Sequence, residues 1–158
     1  MSLPTESTGF SYGWSPNDFI QNFMAEGDDD RGGADKGAME GALAILEGDV
    51  VEFGTALREV LVHTTTGTTP IMGVALADAA SGQMVPVSCG PIVKCICAEA
   101  VTRGNVVGVD DGDEGQIKPI TPTGGGTISG VLGYALMDGD DGDRIPVLMK
   151  GIGLTFIG

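Results

Sequence analysis

A fifteen-residue phrase occurs twice in this chain, and that self-similarity narrows what it can fold into more than any other feature. Gly73-Val-Ala-Leu-Ala-Asp78-Ala-Ala-Ser-Gly82-Gln-Met-Val-Pro86-Val87 aligns without gaps to Gly133-Tyr-Ala-Leu-Met-Asp138-Gly-Asp-Asp-Gly142-Asp-Arg-Ile-Pro146-Val147, with seven positions identical. A second phrase precedes each copy, Ile45-Leu-Glu-Gly48-Asp-Val50-Val51 and Val101-Thr-Arg-Gly104-Asn-Val106-Val107. Units this small cannot each cover their own apolar face, so the two are expected to pack against one another. The expected fold is all-β: a small barrel or sandwich of two repeated units, about 43–97 and 98–151, with a C-terminal strand at 152–157.

Short runs rich in Val and Ile, broken every eight to twelve residues by Gly, Pro, Asp or Asn, carry that reading through 42–158. Strands are expected at 50–51, 60–62, 71–76, 84–87, 92–97, 106–109, 128–136, 145–149 and 152–157. Gly48-Asp49 and Gly104-Asn105 supply positive φ for a tight turn before a Val-Val strand, and 78–82 and 138–142 turn the chain between strands. Pro86 and Pro146 lack an N–H and are expected at a strand start or an edge. One segment departs from the β pattern. Residues 38–46 are rich in Ala, Met, Glu and Leu, and Gly48 stands where a helix C-cap glycine goes, so a short helix is nearly as good a reading there.

Ahead of the β domain the composition changes twice. Residues 26–41 are acidic and glycine-rich, with Asp28-Asp29-Asp30 and Gly32-Gly33, and offer almost nothing to bury, which reads as a linker. Only 5% of the chain is aromatic, yet Phe10, Tyr12, Trp14, Phe19 and Phe23 crowd into the first 23 positions. Residues 1–25 therefore read as an aromatic arm that is separable from the β domain. Phe10, Tyr12 and Trp14 alternate and share one face of an extended segment. Ser15-Pro16 reads as an N-cap and first helical position, placing Phe19, Ile20, Phe23 and Met24 on one stripe of a short helix. These seven residues are the candidate partner-binding set. An arm folded back into its own core is the alternative.

The inventory of reactive groups is thin. His63 is the single histidine and has no carboxylate beside it in sequence, so an enzyme built on a histidine must use that residue. Cys89, Cys95 and Cys97 are an odd number crowded together, which does not read as a disulfide framework; reduced thiols are expected, with Cys95 and Cys97 on one strand face. Asp138-Gly-Asp140-Asp141-Gly-Asp143 superficially suggests a calcium loop, but Met149 stands where its twelfth-position glutamate belongs. The first copy has Ala79, Ala80 and Ser81 where the second has Gly139, Asp140 and Asp141, as a solvated turn allows. Gly124-Gly125-Gly126 lacks the lysine and helix N-terminus of a phosphate loop. No catalytic residue, cofactor or metal site is expected. A formal net charge of −14 with scattered basic residues argues against nucleic acid, and the apolar runs are too short for a membrane span. Residues 1–10 lack the basic and apolar regions of a secretory signal, so action where the chain is made or assembled is expected.

The phrases Val101-x-x-Gly104-Asn105-x-Val107, Ile128-x-Gly130-x-x-Gly133-x-Ala135-Leu136 and Ile145-x-Val147-x-Met149-x-Gly151 resemble the capsid cement, or head-decoration, proteins of tailed bacteriophages. The first repeat carries the same phrases more loosely. The resemblance implies a β-barrel-like domain, made in the host cytoplasm, that sits on the outer surface of the virion head. It implies homotrimers over the junctions between capsomers, clamping neighbouring major capsid protein subunits. The arm lies outside the matching part. A non-enzymatic binding module of a virion, Ca²⁺-dependent or directed at a host-surface glycan, is the alternative, and an enzyme around His63 the third reading.

Overall fold

The computed structural model describes residues 20–26, 43–63, 70–110, 115–120, 127–128, 131–149 and 155–156. Their strands are β1 (Ile20–Ala25), β2 (Val50–Phe53), β3 (Glu59–Val62), β4 (Ile71–Ala75), β5 (Met84–Ser88), β6 (Ile92–Ile96), β7 (Val106–Val109), β8 (Ile117–Pro119), β9 (Thr127–Ile128), β10 (Val131–Ala135), β11 (Arg144–Met149) and β12 (Thr155–Phe156). The fold is all-β, as expected. Five strands close into a barrel in the order β1-β3-β2-β4-β5, with β5 returning antiparallel to β1. A second five-stranded sheet runs β6-β11-β10-β7-β8, and β9 pairs with β12.

The two five-stranded units have one topology. β2, β3, β4 and β5 correspond to β7, β8, β10 and β11, and β1 lies against β5 as β6 lies against β11. In the first unit β1 also joins β3 in parallel and completes the barrel. In the second, that junction is a single parallel bridge from Cys97 to Ile117. The hydrogen bonds correspond as well: the Glu26 N–H donates to the Val60 carbonyl and the Ala98 N–H to the Ile117 carbonyl, both at 2.8 Å.

Residues shared by the repeats hold these turns and crossings. Gly48 and Gly104 have φ of 98° and 88°, and from that left-handed geometry their N–H groups donate to the Ala75 and Ala135 carbonyls. A Cβ on Gly73 would stand 2.5 Å from the Ser88 carbonyl oxygen, and one on Gly133 would collide with that of Leu148, so glycine lets neighbouring strands approach. Pro86 and Pro146 lie inside β5 and β11, between two neighbours, and not at a strand start or sheet edge. Their carbonyls accept from the N–H groups of Leu76 and Leu136, just past the ends of β4 and β10. The missing N–H therefore points where the ladder has already ended.

Two helical expectations give way to extended chain. Ile20–Ala25, placed in the helix and arm by the sequence reading, is the strand that closes the first barrel, in register with Ser88 through Met84. An apolar stripe one and a half turns long is too short to hold a helix by itself, whereas β5 pairs with this segment from Ile20 to Met24 and β3 with Met24 and Ala25. Of 38–46 the described part is not helical: Ile45 bridges to Ala79, and Gly48 serves a turn into β2.

Two apolar clusters fill the molecule. Val51, Val60, Val62, Met72, Val85 and Val87 line the first barrel with Ala25, while the second cluster holds Val93, Cys95, Val107, Ile117, Leu132, Ile145 and Val147. Val50, Ile71 and Val74 belong to the second cluster although they lie on β2 and β4. The first barrel thus turns an outer face to the second unit, and strands buried on both faces tie the two together.

Candidate functional site

Alternation along β1 sends Phe23 and Ala25 inward and leaves Ile20, Asn22 and Met24 outward. Phe23 is partly buried against the first cluster. Met24 lies directly across from Met84 on β5, and the two are 41% and 59% exposed. Pro86 faces Asn22, and exposed Leu76 follows at the end of β4. The second unit repeats this outward apolar strip: Ile92 pairs with Leu148 and both are exposed, with exposed Leu136 beside Pro146. Lys94 and Arg144 lie on this second strip, and Arg144 reaches back 3.1 Å to Glu47 of the first unit.

A third apolar feature projects from the β2–β3 hairpin, where Phe53 is exposed and Leu57 is 93% exposed. Two carboxylates brace this hairpin. Glu26 accepts from both the N–H and the hydroxyl of Thr55, and Glu59 accepts from the Ala56 N–H at 2.9 Å. The hydroxyl bond first, and the N–H second, hold the Glu26 carboxyl below its ordinary value. Arg58, beside Leu57, has a φ of 67° that non-glycine residues rarely adopt, so the tip keeps a fixed, strained shape.

Of the arm residues singled out in the sequence, Ile20 and Met24 share the outward face of β1 while Phe23, expected on the same stripe, turns inward against the core, and Phe10, Tyr12, Trp14 and Phe19 lie outside the described residues. The exposed apolar residues Leu76, Met84, Ile92, Leu136 and Leu148 were missed by sequence reasoning, as were Phe53 and Leu57. The available signal was a large apolar residue at alternate positions beside an inward Val, as in Met84-Val85-Pro86-Val87.

The remaining candidates are absorbed into the scaffold. His63 is buried, with Nε2 3.7 Å from the Glu52 carboxylate, a neighbour invisible in the sequence. Glu52 shares a strand face with Val50, and Gly115 of the second unit bonds both to Val50 and to the His63 carbonyl, so the pair is sealed at the junction of the units. Cys89, Cys95 and Cys97 are free thiols. Burial pushes Cys95 far up and Cys97 up to about 11, with the Asp143, Asp140 and Asp141 charges adding to the latter. Burial also raises Cys89. Protonated thiols are poor nucleophiles and poor metal ligands.

Acidic turn residues bond backbone. Asp78 accepts from the Glu47 N–H and Asp138 from the Arg103 N–H, both at 2.7 Å. Asp143 accepts from Asp140 N–H where Gln83 accepts from Ala80 N–H in the first copy. Among the described residues no three His, Cys, Asp or Glu side chains converge as a metal site. Residues 111–114 and the 124–126 glycines lie outside the described set.

A duplicated β scaffold that buries its described histidine, Cys95 and Cys97 and lines up exposed apolar residues on strand faces has the make-up of a structural protein that acts through its surface. The chain belongs to the phage cement protein family, whose sequence model matches residues 32–152, and is thus a structural component of the phage virion. In fold it is similar to the crystal structure of the N base of head fiber gp8.5 in bacteriophage phi29, with a TM-score of 0.57 and 14% identity, covering 83% of this chain and 92% of that one. None of the curated proteins matches the sequence.

Proposed function

We propose that this protein docks on the outer surface of the assembled head and stabilises contacts between major capsid protein subunits, as a homotrimer and without catalysis. The observation that supports it most directly is the exposed apolar strip formed by Ile20 and Met24 on β1, the strand that leads out of the aromatic arm, with Met84 on β5 and Leu76 just past β4. Phe10, Tyr12, Trp14 and Phe19 precede β1 in the sequence and are assigned to the same docking set. Aromatic anchors and methionines are the side chains that carry most binding energy at interfaces. Contacts of standard size, about 1,600 Å² per partner pair, suffice when several are engaged together. The strong negative charge keeps unbound copies apart and repels the packaged nucleic acid.

Titration of undecorated heads with the purified protein tests this reading. Saturable, stoichiometric binding and a higher temperature of DNA release are expected. Heads that take up no protein at saturating concentration would overturn it.

A further inference from the structure

We infer that β1 is exchanged between copies, so that the strand closing the first barrel of one protomer is supplied by a second copy of this chain. The repeat itself shows how β1 differs from its equivalent. In β6, Val93, Cys95 and Ile96 are buried, whereas in β1 Ile20, Gln21, Asn22 and Met24 are exposed, Phe23 is partly buried, and Ala25 alone is fully buried. β6 is anchored by packing, β1 mainly by main-chain hydrogen bonds. Met24 donates to the Arg58 carbonyl, Ala25 to Gln83 and Glu26 to Val60, each at 2.8 Å. Such bonds are indifferent to which chain supplies the strand.

Connectivity differs in the same sense. Nine residues, 97–105, join β6 to β7, but 24 residues, 26–49, join β1 to β2. Of the longer connection, Ala44 and Ile45 are already fixed against Ala79. Positions 27–42 remain, a stretch able to span up to about 50 Å when extended. That reach exceeds what closing the chain's own barrel requires, since the corresponding closure in the second unit is made with the shorter connection.

The receiving slot is specific. It offers a parallel edge on β3 and an antiparallel edge on β5, with register set at Met24 to Glu59 and Met24 to Met84. A barrel with this slot empty exposes two unpaired edges, which must be filled. An identical strand from a neighbour fills it with the same contacts, and passing strands head to tail around a ring gives a closed oligomer without a new interface. Thr55 then latches the neighbour's Glu26 as it would its own. The inference deepens the homotrimer part of the proposed function, but it stands or falls on the free protein, independently of any head.

The experiment uses the full chain carrying Cys89→Ser, leaving the buried Cys95 and Cys97 in place. Met24→Cys and Met84→Cys are introduced in separate chains, which are refolded together, oxidised and separated without reductant. Both sites are exposed and directly paired, so neither change disturbs packing. A disulfide-linked two-chain species is expected from the mixture and not from either variant alone. Asn22→Cys with Pro86→Cys reads a second position of the same ladder. A between-chain link at either pair supports exchange; its absence at both overturns it, whatever the oligomeric state. Failure of the wild-type protein to bind heads, with the between-chain link still formed by the cysteine variants, would count against the docking role alone.

Discussion

Asp138 accepts the backbone N–H of Arg103 at 2.7 Å, and in the other unit Asp78 accepts that of Glu47 at the same distance. Each bond fixes the loop that leads into a Val-Val strand to the turn after the neighbouring strand. The repeated aspartate is therefore a structural fastener.

Replacing either aspartate by alanine should cost about 1 kcal/mol, the usual worth of one partly solvated hydrogen bond to a charged acceptor. The two losses should add in the double variant, because the sites share no partners. Urea titrations of the three variants test this. Calcium or chelator should leave the midpoints unchanged; a calcium-dependent shift would instead point to the metal-binding alternative.

Gly133→Ala should be far more damaging than Gly142→Ala. A Cβ at Gly133 meets the Leu148 backbone, which cannot swing aside, whereas Gly142 has open space and only its φ of 80° to lose. Costs of more than about 3 kcal/mol and about 1 kcal/mol are expected. Comparable melting temperatures for the two variants would contradict the close strand approach.

Raised thiol pKa values make the fold sensitive to alkali. In the folded protein Cys97 holds its proton up to about 11, against 9.0 for an ordinary thiol. Between those values the native state binds more protons than the unfolded chain, so stability is fully present below pH 9 and falls as pH rises toward 11. Denaturation midpoints at pH 8 and pH 10 should differ more for the wild type than for Cys97→Ala. At pH 8 a thiol reagent should titrate at most Cys89 before unfolding and all three thiols after it.

Glu26 gives the opposite sign. Its carboxyl lies below the ordinary 4.5 because Thr55 donates to it, so the latch between β1 and the β2–β3 hairpin is intact above that value and weakens as pH falls through the lowered one. In Thr55→Val the hydroxyl donor is gone, and the Glu26 carboxyl resonance should titrate closer to 4.5.

The outward strips and the arm should separate function from folding. Met24→Asp, Met84→Asp and Ile92→Asp sit at exposed positions and should leave the melting temperature nearly unchanged while weakening head binding by about tenfold or more each, the loss of one good interface contact. Deleting 1–19 should weaken docking and spare the barrel. Extending the deletion through Ala25 removes β1 and should destabilise the first barrel, contrary to the expectation that all of 1–25 is dispensable for folding.

The duplicated phrases, the Val and Ile runs and the Gly-Asp and Gly-Asn turns specify an all-β body of two packed units, because turn geometry and strand alternation are local and leave their mark on neighbouring residues. The cement family was legible for the same reason: its pattern is made of turns and strands. What stayed hidden depends on residues far apart in the chain. Ile20–Ala25 carries an apolar spacing that serves a helix or a strand equally, and only the open edges of β3 and β5 decide between them. β8 escaped notice because its three residues, Ile117–Pro119, are too few for a pattern. Pairing of His63 with Glu52, the placement of two prolines inside strands, and the alignment of Met24 with Met84 likewise follow from register between strands. Local chemistry determined which segments turn and which extend; long-range hydrogen-bond register, which no single segment encodes, decided which apolar side chains the finished barrel buries and which it presents.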